Sequence, residues 1–257
     1  MSFSPLRIAA AVILLSFTTA TSALDVGEQL DAAHERYRAG DLSGALQWLE
    51  PLLEADGLDP PAKDRARALA ARVLQLRGEE HFRRSRIRES LADFDRQLAL
   101  QPNRAAEHWQ RGIACYYAGE YEQGAKQFKL HQTVNPQDVE NAVWHFLCMV
   151  RAPGGSVEAA RKSLIAVTDD ARIPMAQIQR LFAGAMTPEE VLRVGEEAGG
   201  AGKFYADLYV GLYYEAVGRD DDSLRLVTFA AENSAAKNSY MGDVARVHVA
   251  LRKKQGH

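Results

Sequence analysis

The sequence predicts an all-α fold of stacked helix hairpins, and three observations support this prediction. Three marker residues recur after 34 positions: Gly78 as Gly112, Phe94 as Phe128 and Pro102 as Pro136. This period is typical of repeats that contain two helices. Apolar residues follow helical spacing through most of the chain, and no segment shows the strict alternation of a half-buried strand. A stack of such hairpins forms a solenoid with a concave face.

The two clearest repeats are 71–104 and 105–138. In the second one, Gly112 allows the two helices to approach closely because it has no Cβ. Gly119 is suited to end the first helix in the left-handed conformation. Phe128 is expected to pack the second helix on the first, and Pro136 marks the point where a helix cannot continue. Residues 26–59 form a weaker first repeat around a turn at Gly40.

After Pro136 the 34-residue pattern weakens, and 139–198 is predicted to be a degenerate region of further helices. Ser156 is expected to begin a helix that runs through Val167. Thr187, Pro188 and Glu190 have the order of a capping box with proline at the first helical position. Residues 204–237 then resemble a repeat again. A last helix, 239–254, ends in charged residues and is predicted to cap the stack with its outer face in water.

The first 23 residues have the pattern of a secretory signal peptide. Arg7 precedes an apolar stretch over 8–17, and small residues follow up to Ala23. The apolar stretch is shorter than the ~20 residues that span a bilayer, so cleavage after Ala23 and export to the periplasm or medium are expected. An uncleaved membrane anchor is the alternative. Residues 24–257 would then form a single soluble domain without a stable membrane span.

Composition narrows the possible functions. The chain of 257 residues is 25% charged and has a net charge of −3. This balance is typical of a soluble globular protein and gives no reason to expect nucleic acid as a partner. Cys115 and Cys148 could form a disulfide in an oxidising compartment, or they could remain two buried thiols.

The stretch from Arg111 to Gly119, with Asn135–Pro136 and the apolar helix through Trp144, resembles the tetratricopeptide repeat (TPR) family. It is similar in particular to the NlpI-type bacterial envelope TPR lipoproteins, as is the later order of a hairpin opening at Thr187, a final repeat and a closing helix. The resemblance implies a right-handed TPR-type solenoid with a C-terminal capping helix. It also implies an envelope adaptor, often a homodimer, that docks proteases and peptidoglycan hydrolases. The lipidated cysteine of that family is missing here, so a soluble form is expected.

The TPR resemblance also implies which residues face the concave surface. Aromatic side chains bordered by arginine are typical of peptide-binding anchors, although an aromatic stripe at helical spacing can instead fill a core. The predicted peptide-binding groove consists of Phe82, Arg83, Trp109, Gln110, Ile113, Tyr116, Tyr117, Trp144, Leu147, Arg151 and Tyr209. No cofactor is expected, and the sequence predicts a non-catalytic protein.

Two other functions are possible. His145 and Cys148 lie one helical turn apart and could belong to a metal- or thiol-dependent factor together with His108. No further ligands complete a metal site in the sequence. The protein could also be a structural homo-oligomer whose groove is occupied by its own N-terminal helix.

Overall fold

The computed structural model of the protein describes residues 25–254 and residue 256. The predicted signal peptide therefore lies outside the described residues. All regular structure in the described part is helical, without a strand, which confirms the all-α prediction. Within the same residues, no helix combines the length and the apolar character that crossing a bilayer requires.

Thirteen α-helices follow one another in the described part of the chain, and two short 3-10 helices interrupt them at Pro102–Glu107 and Ser234–Ala236. The α-helices are α1 (Val26–Arg38), α2 (Leu42–Glu54), α3 (Pro60–Arg83), α4 (Ile87–Leu100), α5 (Trp109–Ala118), α6 (Tyr121–His131), α7 (Val139–Arg151), α8 (Val157–Lys162), α9 (Met175–Phe182), α10 (Pro188–Ala198), α11 (Gly200–Ala216), α12 (Asp220–Glu232) and α13 (Tyr240–Lys254).

Local sequence signals explain many of the helix ends. Asp25, Asp41 and Asp59 each accept backbone N–H bonds at the start of α1, α2 and α3, which satisfies donors that a helix leaves unpaired. The predicted capping box of Thr187 and Glu190 is present at the start of α10. Gly119 ends α5 with φ of 80°, a left-handed conformation that favours glycine.

The repeat markers are packing partners. A Cβ added to Gly78 would lie 2.6 Å from the Phe94 ring, and one added to Gly112 would lie 2.7 Å from the Phe128 ring. Both distances are too short for real atoms, so each glycine provides the space that a phenylalanine of the following helix occupies. Consecutive helices pack on one another along the chain, with α3 on α4, α5 on α6 and α11 on α12. In the last pair Gly211 faces Val227 instead of a phenylalanine.

One prediction about helix length is wrong. The helix that Ser156 caps ends at Lys162 and does not run through Val167. Residues 163–174 contain no regular helix. The irregular segment carries Arg172, which makes ion pairs with Asp138 and Glu140 at the start of α7, and Asp170, which accepts a hydrogen bond from the Val139 N–H.

The last helix, α13, does more than end the stack. It packs on α12 and also returns to α3, nearly 160 residues earlier in the chain. Val244, Ala245, Val247 and His248 are buried. The prediction of a helix that mainly shields one end with a solvated face is therefore incomplete, because α13 also buries a face against the first half of the protein.

Candidate functional site

The predicted groove residues separate into two groups. Six of them are buried in the protein core: Phe82, Ile113, Tyr116, Trp144, Leu147 and Tyr209. These side chains expose almost no surface that a partner could contact in this arrangement. The aromatic stripe thus belongs largely to the core, which is the alternative that its helical spacing left open.

The other five predicted residues keep some exposure, but three of them contact other parts of the chain. The hydroxyl of Tyr117 lies 3.2 Å from Nδ1 of His248, and Arg83 lies 4.0 Å from the carboxylate of Asp243. Arg151 pairs with Glu215 at 2.9 Å. Trp109 and Gln110 line an open cavity of about 950 Å³, and Arg83 also lines a separate cavity of about 400 Å³.

Helix α13 covers the aromatic part of the predicted groove. Tyr240 stacks on Phe82 with ring centroids 5.4 Å apart, and its ring meets Trp109 edge-on at 5.0 Å. Aromatic pairs of this kind add about 0.5–1.5 kcal/mol beyond burial of their area. The groove is thus partly occupied by the protein's own C-terminal helix, whereas the sequence suggested the N-terminal helix for this role.

Glu215 on α11 connects the helices at this covered end. Its side chain is almost completely buried and accepts a hydrogen bond from the Tyr116 hydroxyl at 2.9 Å. It also forms ion pairs with Arg151 of α7 and Arg252 of α13. A buried carboxylate is tolerated when charged partners surround it. Glu215 therefore joins α5, α7, α11 and α13.

An open groove remains beside the covered region, and we call it the α1–α3 groove. Its volume is about 950 Å³. Leu30, Asp31 and His34 of α1 form one side, and Arg65, Leu69, Arg72, Gln75, Leu76 and Glu79 form a stripe along α3. Gln97, Gln101, Arg104, Glu107, His108, Trp109 and Gln110 form the other side. Helix α1 is thus a wall of this groove and does not fill it.

The α1–α3 groove is polar and close to neutral overall, with arginine and carboxylate side chains in equal number. Arg72 donates to the Tyr37 hydroxyl at 2.5 Å, while the side chain of Arg65 makes no ion pair or hydrogen bond with any residue that the structure describes. Burial lowers the pKa of His108 to about 4, so its imidazole is neutral. The groove offers several amide side chains and an unpaired guanidinium to a ligand.

A second, smaller cavity lies on the other side of Trp109, and we call it the Trp144 pocket. Its volume is about 190 Å³, and its walls are Trp109, Ile113, Phe128, His131, Asp138, Glu140, Asn141, Trp144 and Met241. Trp109 lines both cavities, so they adjoin. Three of the predicted groove residues, Trp109, Ile113 and Trp144, meet here.

Carboxylates dominate the charge beside the Trp144 pocket. Asp138, Glu140 and Asp170 all pair with the single guanidinium of Arg172. Glu140 also accepts a hydrogen bond from the Tyr209 hydroxyl. Burial raises the pKa of Glu140, while the bonds from Tyr209 and Arg172 oppose that rise. When all three carboxyl groups are ionised, the single guanidinium of Arg172 leaves this cluster with a net negative charge.

Two buried polar atoms of the pocket walls lack partners among the described residues. The amide nitrogen of Asn141 donates to Gln132 at 3.1 Å, but its Oδ1 accepts no hydrogen bond. The indole Nε1–H of Trp144 has no acceptor. Buried polar groups are normally hydrogen-bonded, so each exception calls for an explanation.

The residues of the alternative catalytic hypothesis do not come together as a reactive site. Cys115 and Cys148 are free and buried, and burial raises the thiol pKa of Cys115 to about 11 and that of Cys148 well above its usual value. A protonated thiol is a weak nucleophile and metal ligand. Burial and the nearby Lys129 lower the pKa of His145. Residues 25–254 contain no group of three or more histidine, cysteine or acidic side chains that could hold a metal.

The α3 side of the groove contains residues that the repeat template did not predict. Arg65 lies in the part of α3 that precedes the repeat at residue 71, and Arg72 and Gln75 lie at the start of that repeat, where no lining residue was predicted. Their helical spacing with Glu79 could have revealed one continuous face.

Comparison with known proteins gives no family for this chain: no family model matches it, and no curated protein matches it.

Proposed function

We propose that the protein is a non-catalytic TPR-type adaptor of the cell envelope that binds a peptide segment of a partner protein in the α1–α3 groove. The observation that carries the proposal is the groove itself, a cleft of about 950 Å³ along one face of α3. A volume of this size is at the upper end of the usual range for ligand sites. The resemblance to envelope lipoproteins suggests proteases or peptidoglycan hydrolases as partners, and a homodimer as the assembled form.

The chemistry of the groove suits a peptide. Peptide bonds present both donors and acceptors, and the amides of Gln75, Gln101 and Gln110 can pair with either. Leu76 and the half-buried ring of Trp109 provide apolar surface. Interfaces commonly place such an aromatic anchor among polar groups. Arg65 adds a positive charge that no described residue neutralises.

The proposal can be tested by selecting peptides from a random displayed library on the purified protein. We expect the selected peptides to bind the wild type and to lose at least about tenfold in affinity for the Arg65→Glu variant, equal to about 1.4 kcal/mol. Arg67→Glu is the matched control, because Arg67 is an exposed arginine on the same helix that does not line the groove. Equal binding by both variants, or selection of no peptide, would contradict the proposal.

A further inference from the structure

We propose that the Trp144 pocket is a subsite for a basic side chain, an arginine of the bound partner peptide, and that this side chain is the specificity element of the adaptor. The inference rests on the proposed function, because the pocket adjoins the α1–α3 groove at Trp109. A peptide that lies in the groove can extend one residue past Trp109 into the pocket.

The walls of the pocket match the chemistry of a guanidinium group. Trp109 is half-buried and provides the accessible aromatic surface, while Phe128 and Trp144 form the buried back of the pocket. A cation placed over an aromatic face is attracted by the ring's quadrupole. The Phe128 and Trp144 rings stack on each other at the back of the pocket, with centroids 6.4 Å apart and an angle of 21° between their planes. On the open face of Trp109, arginine stacks better than lysine because its charged group is planar.

Acceptors in the walls outnumber donors. Asp138 and Glu140 contribute carboxylates, and Asn141 contributes an Oδ1 that is buried and unpaired. Nδ1 of His131 lies 2.8 Å from the carbonyl oxygen of Ala106, which can only accept, so a neutral His131 ring presents an acceptor at Nε2. A guanidinium has five donors and no acceptor, which fits this arrangement.

The charge of the surroundings also favours a cation. Arg172 is shared among Asp138, Glu140 and Asp170, so it does not neutralise all three. An arginine that enters the pocket would add a second positive charge to this cluster and reduce its excess of negative charge. The unpaired Nε1–H of Trp144 fits the same ligand, because a peptide carbonyl beside the arginine can accept its hydrogen bond.

The size of the pocket sets the class of occupant. A volume of about 190 Å³ is far larger than the ~10–15 Å³ that one water needs. It is also much smaller than the α1–α3 groove, so it admits a side chain and not a folded segment. Met241 of α13 forms part of its wall, so the C-terminal helix helps to shape the subsite.

The test uses the three tryptophans of the chain, whose indole N–H groups give separate NMR signals. The probe is arginine with both its amino and carboxyl ends blocked as amides, titrated into the purified protein. We expect the Trp109 and Trp144 signals to shift with a dissociation constant of about 1–10 mM, as suits a ligand of this size. The Trp48 signal should stay in place, because Trp48 belongs to α2, away from the pocket.

Blocked citrulline is the decisive comparison because it keeps the shape and most donors of arginine but has no charge. We expect it to bind at least about tenfold more weakly. Equal shifts with citrulline, no shifts at about 50 mM arginine probe, or equal shifts of all three tryptophans would overturn the proposal.

Variants locate the binding site. Glu140→Gln should weaken binding of the arginine probe about tenfold, and Asp138→Asn provides a second variant if the first does not fold. The matched control is Glu189→Gln, because Glu189 also accepts a tyrosine hydroxyl, that of Tyr214, but does not line the pocket. Loss of binding in the control alone would place the site elsewhere and overturn the proposal.

The test of the arginine subsite and the test of the adaptor function can fail independently. If Arg65-dependent peptides bind the groove but the arginine probe does not reach the pocket, the subsite proposal alone fails. If the probe binds the pocket while no peptide depends on Arg65, the adaptor proposal fails and the cation site remains.

Discussion

The two ends of the predicted groove differ although helix pairs form both of them. Between α1, α3 and the start of α5 the surface is an open polar groove. Between α3, α5 and α7 the corresponding surface is aromatic and is covered by α13. The comparison shows that aromatic residues at the predicted lining positions pack against a helix of the same chain. The polar α1–α3 groove beside them stays open.

The largest expected effect on the free energy of unfolding is at the covered end, where Glu215 of α11 contacts residues of α5, α7 and α13. Glu215→Gln removes the charge that Arg151 and Arg252 both face. Loss of one partner from a buried ion pair costs about 3–5 kcal/mol, because the remaining charge stays buried without compensation. Urea unfolding should show a loss of this size.

The surface variant Glu197→Gln serves as the control for this experiment. Glu197 pairs with Arg193, and both side chains are largely exposed. A change of no more than about 0.5 kcal/mol is expected there. If Glu215→Gln costs as little as the control, the four-helix junction does not stabilise the covered end.

The second prediction compares two histidines, one at each end. Burial puts the pKa of His108, at the open groove, and of His248, on α13, at about 4. An unfolded histidine titrates near 6.5, so the unfolded state binds more protons between pH 6.5 and 4. Stability is therefore fully present above pH 6.5 and falls as the pH decreases, by up to about 3 kcal/mol for each group.

The replacement His248→Gln should remove the His248 part of this pH dependence and leave that of His108. The measurement is the free energy of unfolding at pH 7, 6, 5 and 4 in wild type and variant. Carboxylates contribute equally to both proteins, so the difference isolates the histidine. An identical slope in the two proteins would show that His248 is not held neutral by burial.

The third prediction tests whether the helix pairs at the two ends are equivalent. Gly78→Ala and Gly112→Ala each place a Cβ within about 3 Å of a phenylalanine ring, and the two distances are nearly the same. Such overpacking costs about 1–3 kcal/mol. We expect similar losses, measured by thermal unfolding.

Removal of the clash provides the control. Phe94→Leu in the Gly78→Ala background should recover part of the loss, because the smaller side chain leaves room for the new methyl group. Costs that differ severalfold between Gly78→Ala and Gly112→Ala would show that only one of the two pairs depends on this contact.

The smallest effect on stability is expected in the α1–α3 groove. Arg65→Glu changes an exposed side chain without a partner among the described residues, so the free energy of unfolding should change by no more than about 0.5 kcal/mol. We expect a melting temperature near that of the wild type together with the loss of peptide binding. This result would show that Arg65 at the open end serves binding, whereas Glu215 at the covered end serves stability. A large destabilisation would mean that Arg65 supports the fold.

The local features were predictable because they depend on neighbours in the sequence. The capping box at Thr187, the left-handed Gly119 and the pairs Gly78–Phe94 and Gly112–Phe128 each involve residues within about one hairpin. Half of the candidate site was not predictable in the same way. Trp109 and Gln110 line the α1–α3 groove, but Phe82, Tyr116 and Tyr209 lie in the core.

The sequence alone determined an all-helical protein in which glycine and phenylalanine markers pair the helices, because helical spacing and local sterics specify both. The tertiary structure alone decided which part of the predicted groove stays open. The contacts that cover the aromatic part join Tyr116 to Glu215 and Tyr117 to His248, across 99 and 131 residues. No periodicity encodes such pairs. The first pair joins α5 to α11. The second forms because α13 gains more by burying its apolar face on these rings than by leaving that face in water.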